Sequence, residues 1–341
     1  MFFKVIKFGG IAVLLLLLLL VVVLQIGSSL TMDRDRLHSQ ASMALPALSE
    51  WVADGAHQSG LVNITTDNGM TFRARVAGFD DTTRPLVILL HGFPVTSAMW
   101  IDLIQPLADS GLRVVAFDQR GYSPGARPDA VEAYAVNHLI DDVFAVADVV
   151  GEQRFHLVGH DWGAAVGWGA VLARPERVIS WTGLSIAHPQ AFQEALQNDP
   201  DQQSRSRYFA LFQTPWLPET LFTFNDLALL RGAYAGMAAE KTTEYAAVFS
   251  EPGALSAGLN WYRAMDQGLR QADVDDTNVS IPTLFIWGNR DGAVGRAAID
   301  AMATFMHGPY RNIELDAGHW LFVDQRDAVV EAVVAHIQTY R

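Results

Sequence analysis

Two hydrophobic rhythms alternate along most of this chain. Short, nearly continuous apolar runs at residues 85–90 (PLVILL), 113–118 (RVVAFD) and 155–159 (FHLVG) read as strands buried on both faces, as a parallel sheet covered by helices requires. Residues 61–65 and 71–77 read as two more strands around Asp67-Asn68-Gly69, a hairpin signal. Residues 178–186, 283–287 and 312–316 add three further strands. Between them, apolar residues recur at helical spacing over 97–108, 131–150 and 162–173, and again after each of the last two strands. Such alternation predicts an α/β protein with a mostly parallel sheet flanked by helices.

Two segments break the rhythm. From 188 to 276 there is helical patterning and no strand signal, so these residues are expected to form a helical cap over the C-terminal edge of the sheet, where ligands of open α/β sheets bind. The core is then 59–187 with 277–341. At the other break, residues 8–32 carry no charge and include seven consecutive leucines. About 20 apolar residues span a hydrocarbon layer. Residues 1–30 therefore predict an uncleaved single-pass transmembrane helix rather than a signal peptide, whose apolar region runs only about 7–15 residues. Lys4 and Lys7 place its start in the cytoplasm, against Arg34 and Arg36 on the far side, so the α/β domain is expected on the extracytoplasmic side. Residues 31–58 read as a tether with a short helix over 45–56.

Charge and composition narrow the function. With 37 acidic and 24 basic residues the net charge is -13, which argues against a nucleic-acid partner. The absence of cysteine excludes a thiolate metal site and a cysteine nucleophile. No close histidine pair suggests a metal.

The candidate chemistry lies where strands end. Gly159-His160-Asp161-Trp162-Gly163 joins a strand to a helix with small residues two before and two after the centre. That is the steric demand of a nucleophile elbow, here with Asp161 in the raised place; an ordinary N-cap aspartate is the other reading. His91-Gly92-Phe93-Pro94 follows the strand PLVILL. It brings the Phe93 amide beside the elbow, where with the Trp162 amide it can form an oxyanion hole. Asp291, in Gly288-Asn289-Arg290-Asp291, ends one later strand and is either a site acid or a solvated turn residue. His319, in Ala317-Gly318-His319-Trp320, follows the last one. The order nucleophile, acid, histidine favours a site over three structural residues.

These four motifs resemble the α/β-hydrolase superfamily, and within it the epoxide hydrolases, over about residues 60–341. The resemblance implies an α/β-hydrolase fold, with Asp161 as nucleophile, His319 as general base and Asp291 as its orienting acid. Dehalogenases of the superfamily share those roles. The cap discriminates: residues 208–215 (YFALFQTP) and 259–263 (LNWYR) look like the two tyrosine segments of the epoxide hydrolases, which implies Tyr208 and Tyr262 as donors to the departing epoxide oxygen. A dehalogenase would need halide donors, and Phe93 has no side-chain amide to offer. An esterase would need a serine at the elbow. A non-catalytic binding protein would not need the intact set of Asp161, Asp291 and His319. The implied partners are a small apolar epoxide and water, with no cofactor or metal, and a membrane reached through the N-terminal helix. Phe93, Trp162, Phe212 and Trp320 are expected to line the substrate site, and Trp216, Phe222 and Phe224 to add to an apolar cap pocket.

Overall fold

The structure is a computed structural model that describes residues 16–26, 32–41, 43, 45–52, 59–268 and 277–341. Among these, nine strands form one sheet in the order β1-β2-β3-β5-β4-β6-β7-β8-β9. They are β1 (Ser49–Glu50), β2 (Ser59–Thr65), β3 (Thr71–Ala77), β4 (Leu86–Leu90), β5 (Arg113–Phe117), β6 (Phe155–His160), β7 (Val178–Leu184), β8 (Thr283–Gly288) and β9 (Tyr310–Leu315). β2 and β3 form the hairpin, paired from Ser59–Ala77 to Thr65–Thr71, and Gly69 takes φ +81° in its turn. From β5 across to β9 every neighbour is parallel. Every residue of β4, β5, β6 and β8 is buried, which is why these segments carry no polar alternation. β9 is an edge strand with three of its six residues exposed.

The loops that follow β4, β6, β8 and β9 lie at one edge of this sheet and carry His91 to Pro94, Asp161, Asp291 and His319. Over that edge, between β7 and β8, the described chain is helical: Pro189–Asn198, Pro200–Arg205, Tyr208–Gln213, Leu217–Gly232, Ala239–Ser250 and Ala254–Gly268. His188 opens the insertion as an N-cap whose ring accepts the Gln190 amide and stacks on Phe305 at 4.6 Å. Two expected helices are each split by a 3-10 turn: Ser97–Trp100 precedes Ile101–Asp109, and Val131–Tyr134 precedes Val136–Val149.

The N-terminal expectations need correction. Among the described residues no helix is long and apolar enough to cross a membrane. The described helical residues there are 16–26. The predicted single-pass anchor, and the extracytoplasmic placement built on it, therefore do not hold. The rest of the predicted anchor lies outside the described residues.

The tether is docked rather than free. Helix Arg34–Gln40, capped by Asp33 accepting the Arg36 amide, buries Leu37 and packs on helix Ala239–Ser250. Met43 is buried, and its carbonyl accepts from Arg73 Nη1 at 3.0 Å. In place of the helix expected over 45–56, a 3-10 turn at Leu45–Ala47 leads into β1, which pairs with Val62 and Asn63 of β2. The Asn63 amide fixes the turn by donating to the Leu45 carbonyl and to Glu50. Residues 53–58 lie outside the described residues.

Candidate active site

β6 ends at His160 and the next helix begins at Trp162, so one residue makes the whole turn. That residue, Asp161, has φ 54° and ψ -126°. A non-glycine residue held there costs on the order of 1–3 kcal/mol and persists only where its surroundings leave no alternative. Here they leave none, because the backbone closes in from both sides. A Cβ on Gly159 would stand 2.3 Å from the Gly163 carbonyl oxygen, and one on Gly163 would stand 2.1 Å from that of Leu90. The Asp161 side chain makes no cap bond to its own helix. It turns instead to the loop after β4, where Oδ1 accepts the Phe93 amide at 2.7 Å. A Cβ on Gly92 would meet that oxygen at 2.2 Å. Asp161 is 6% exposed. Burial pushes its pKa up, but His319, His160 and the Trp162 amide outweigh this and hold it below the ordinary value.

His319 lies between the two aspartates. Its Nδ1 donates to Asp291 Oδ2 at 2.9 Å, and its Nε2 is 3.5 Å from Asp161 Oδ2. The other oxygen of the buried Asp291 accepts the Ala293 and Val294 amides at 2.7 and 3.1 Å, which fixes the carboxylate. Burial disfavours a charged imidazole, yet Asp291 and Asp161 push the His319 pKa up to about 10. The His319 carbonyl is held too: His160 Nε2 donates to it at 2.9 Å and Ser185 Oγ at 3.1 Å. His160 is the buried support of the elbow that its place in the motif suggests; burial lowers its pKa to about 4 and keeps it neutral.

The cap contributes aromatic rings. Tyr208 opens helix Tyr208–Gln213, and Tyr262 lies on helix Ala254–Gly268, with ring centroids 6.1 Å apart. Burial raises both hydroxyl pKa values, and the charge of Asp161 adds to the effect at each. Phe93 stands edge-on to Phe212 at 5.7 Å, Phe249 at 5.7 Å and Tyr262 at 5.6 Å. Trp162 meets Tyr262 at 5.1 Å. The expected residues Phe93, Trp162, Phe212, Tyr208 and Tyr262 thus share one cluster, and Phe222 joins it through Phe93 and Phe212.

Three expected residues do not join that cluster. Trp320 packs on His160 and His319 and lines a cavity of about 220 Å³ with Val95, Met99, Met237 and Tyr245. Trp216 is 66% exposed and Phe224 40%. Trp216 sits at φ 51°, which turns it outward at the head of helix Leu217–Gly232. At Phe224 that helix breaks, and Asn225 to Leu227 all take positive φ. Phe249 was not foreseen; it lies in an ordinary helical apolar pattern with nothing to mark it.

A model of the alpha/beta hydrolase family matches residues 87–332. The chain belongs to that family. This hydrolase is 35% identical over 265 residues to AB hydrolase superfamily protein YfhM of Bacillus subtilis, covering 76% of this chain and 88% of that one. It is 33% identical over 310 residues to epoxide hydrolase A of Mycobacterium tuberculosis, covering 78% and 94%. The crystal structure of epoxide hydrolase A from Mycobacterium thermoresistibile superposes with a TM-score of 0.70 at 29% identity, over 83% of this chain and 99% of that one.

Behind the site, the hydrolase uses residues 118–122 as scaffold. His91 Nδ1 donates to the Gly92 carbonyl, and its Nε2 accepts the Gln119 amide at 3.0 Å. Asp118 accepts the Ser97 amide and pairs with Arg73, which also meets Glu251 of the cap at 2.8 Å. These buried bonds hold the loop that presents the Phe93 amide.

Proposed function

We propose that this hydrolase converts small apolar epoxides to vicinal diols through an ester on Asp161, with residues 59–187 and 277–341 as the catalytic core and 188–276 as the substrate-covering cap. The carrying observation is the pair of cap tyrosines, Tyr262 buried and Tyr208 partly buried, whose rings stand 6.1 Å apart, with Tyr262 5.1 Å from the Trp162 ring of the elbow. A nucleophilic carboxylate alone also suits other leaving groups, whereas an epoxide oxygen needs a donor. The relatives named epoxide hydrolase support the same reading.

In the first step Asp161 Oδ2, the oxygen not bound to the Phe93 amide, attacks an epoxide carbon. The ring C–O bond breaks, and the oxygen takes the proton of Tyr208 or Tyr262. Ester formation removes the Asp161 charge, which is one cause of the raised His319 pKa. The imidazolium then returns a proton to the tyrosinate through the site water, and His319 becomes the neutral base of the second step. It takes a proton from water, which attacks the ester carbonyl, and the amides of Phe93 and Trp162 receive the oxyanion. The tetrahedral intermediate collapses with its hydroxyl proton on the departing diol. Asp161 is again a carboxylate and His319 an imidazolium. The aromatic cluster around Phe93 suits an apolar or aryl substituent.

A single turnover in ¹⁸O-labelled water tests this. The water oxygen enters the Asp161 carboxylate, so the first diol is expected without label. Label in that first diol means direct attack of water and overturns the proposal.

A further inference from the structure

Helix Pro200–Arg205 of the cap carries Gln202, a glutamine with no exposed surface. Its side chain is spent on one short loop of the core and on its own helix. Nε2 donates to the Ala293 carbonyl at 2.9 Å and to Ser206 Oγ at 3.0 Å, and Oε1 accepts the Gly295 amide at 2.8 Å. Arg205, one turn on, donates to the Asp291 carbonyl and pairs with Asp201. The approach is close: a Cβ on Gly295 would stand 3.0 Å from Asp201 Oδ2. The loop so gripped is the one whose Ala293 and Val294 amides hold the Asp291 carboxylate, which in turn holds His319. The same stretch of cap runs on within three residues into Tyr208.

We propose that Gln202 and Arg205 are positioning residues through which the cap fixes Asp291, and through it His319, for ester hydrolysis. The inference rests on the ester mechanism above and assigns the cap a part in the second step as well as the first. A buried amide satisfied at both ends is costly to leave unpaired, so the loop cannot shift without breaking these bonds. A displacement near 1 Å can cost about a hundredfold in rate.

The test compares the full-length protein with Gln202→Leu, Arg205→Met and Arg205→Lys, using rapid-quench single turnovers of an aryl epoxide. In Gln202→Leu and Arg205→Met, ester hydrolysis is expected to slow roughly tenfold to a hundredfold while ester formation stays within about twofold. The apparent pKa of the hydrolytic step is expected to fall as the hold of Asp291 on the imidazolium loosens, and Arg205→Lys is expected to recover most of the rate. Equal slowing of both steps, or unchanged hydrolysis with an unchanged pH profile in folded variants, overturns the inference. The proton resonance of His319 Nδ1–H in the free protein reads the same link without turnover. It is expected to shift in both disabling variants, and its constancy also counts against the inference. If the wild type forms no ester, the proposed function fails, while the resonance still decides the positioning role.

Discussion

At Asp161 three demands meet in one side chain: a strained turn, a carboxylate held by the Phe93 amide, and a charge felt by His319, Tyr208 and Tyr262. The tyrosines act only while the epoxide oxygen departs. Tyr208→Phe and Tyr262→Phe are each expected to slow ester formation roughly tenfold to a hundredfold, the double variant by about 10²–10⁴, with ester hydrolysis little changed. Single-turnover rates of the two steps check this; loss confined to hydrolysis contradicts it. Phe93, Asp161, Asp291 and His319 were readable because each follows a strand in a short distinctive motif, whereas Tyr208 and Tyr262 lie on cap helices and were readable only through segments that resemble those of a known family. Trp216 and Phe224 were misread because their direction depends on positive-φ residues that no local pattern announces. Gln202 is one polar residue among several in its helix, and only the folded chain shows that it is buried.

At the scale of elements, the site depends on how closely the strand ends approach one another. Gly163 and Gly92 both face crowded positions, but different neighbours would have to yield. In Gly163→Ala the new methyl meets the Leu90 and His91 backbone. This is expected to destabilise the fold by about 1–3 kcal/mol, read by chemical denaturation. In Gly92→Ala it meets the Asp161 side chain, 2.4 Å from Cβ as well as 2.2 Å from Oδ1, so the nucleophile itself must shift. Ester formation is expected to drop by about a hundredfold. The order of strands and helices was legible because doubly buried strands leave unbroken apolar runs. The docked helix Arg34–Gln40 and the short β1 were not. Their stability comes from partners far along the chain, such as Arg73, Asn63 and helix Ala239–Ser250.

For the molecule as a whole, the site charges tie stability to pH. The folded pKa of His319 lies near 10, above its ordinary 6.5. The stabilisation it contributes is fully present below pH 6.5 and is lost as pH rises towards 10. Asp161 and Asp291 are shifted the other way, so their contributions stand above the ordinary carboxylate pKa and fade in acid. The thermal midpoint is therefore expected to fall between pH 6.5 and 10, and to fall less in His319→Gln; identical profiles contradict the assignment. The apolar run near the start predicts a membrane helix, but among the described residues no helix is long and apolar enough to cross a membrane. The ester on Asp161 is read from the intact mass of the His319→Gln protein after incubation with an aryl epoxide. A gain of one whole epoxide is expected, located on Asp161 by peptide analysis. An unmodified protein, or an adduct on any other residue, would contradict it.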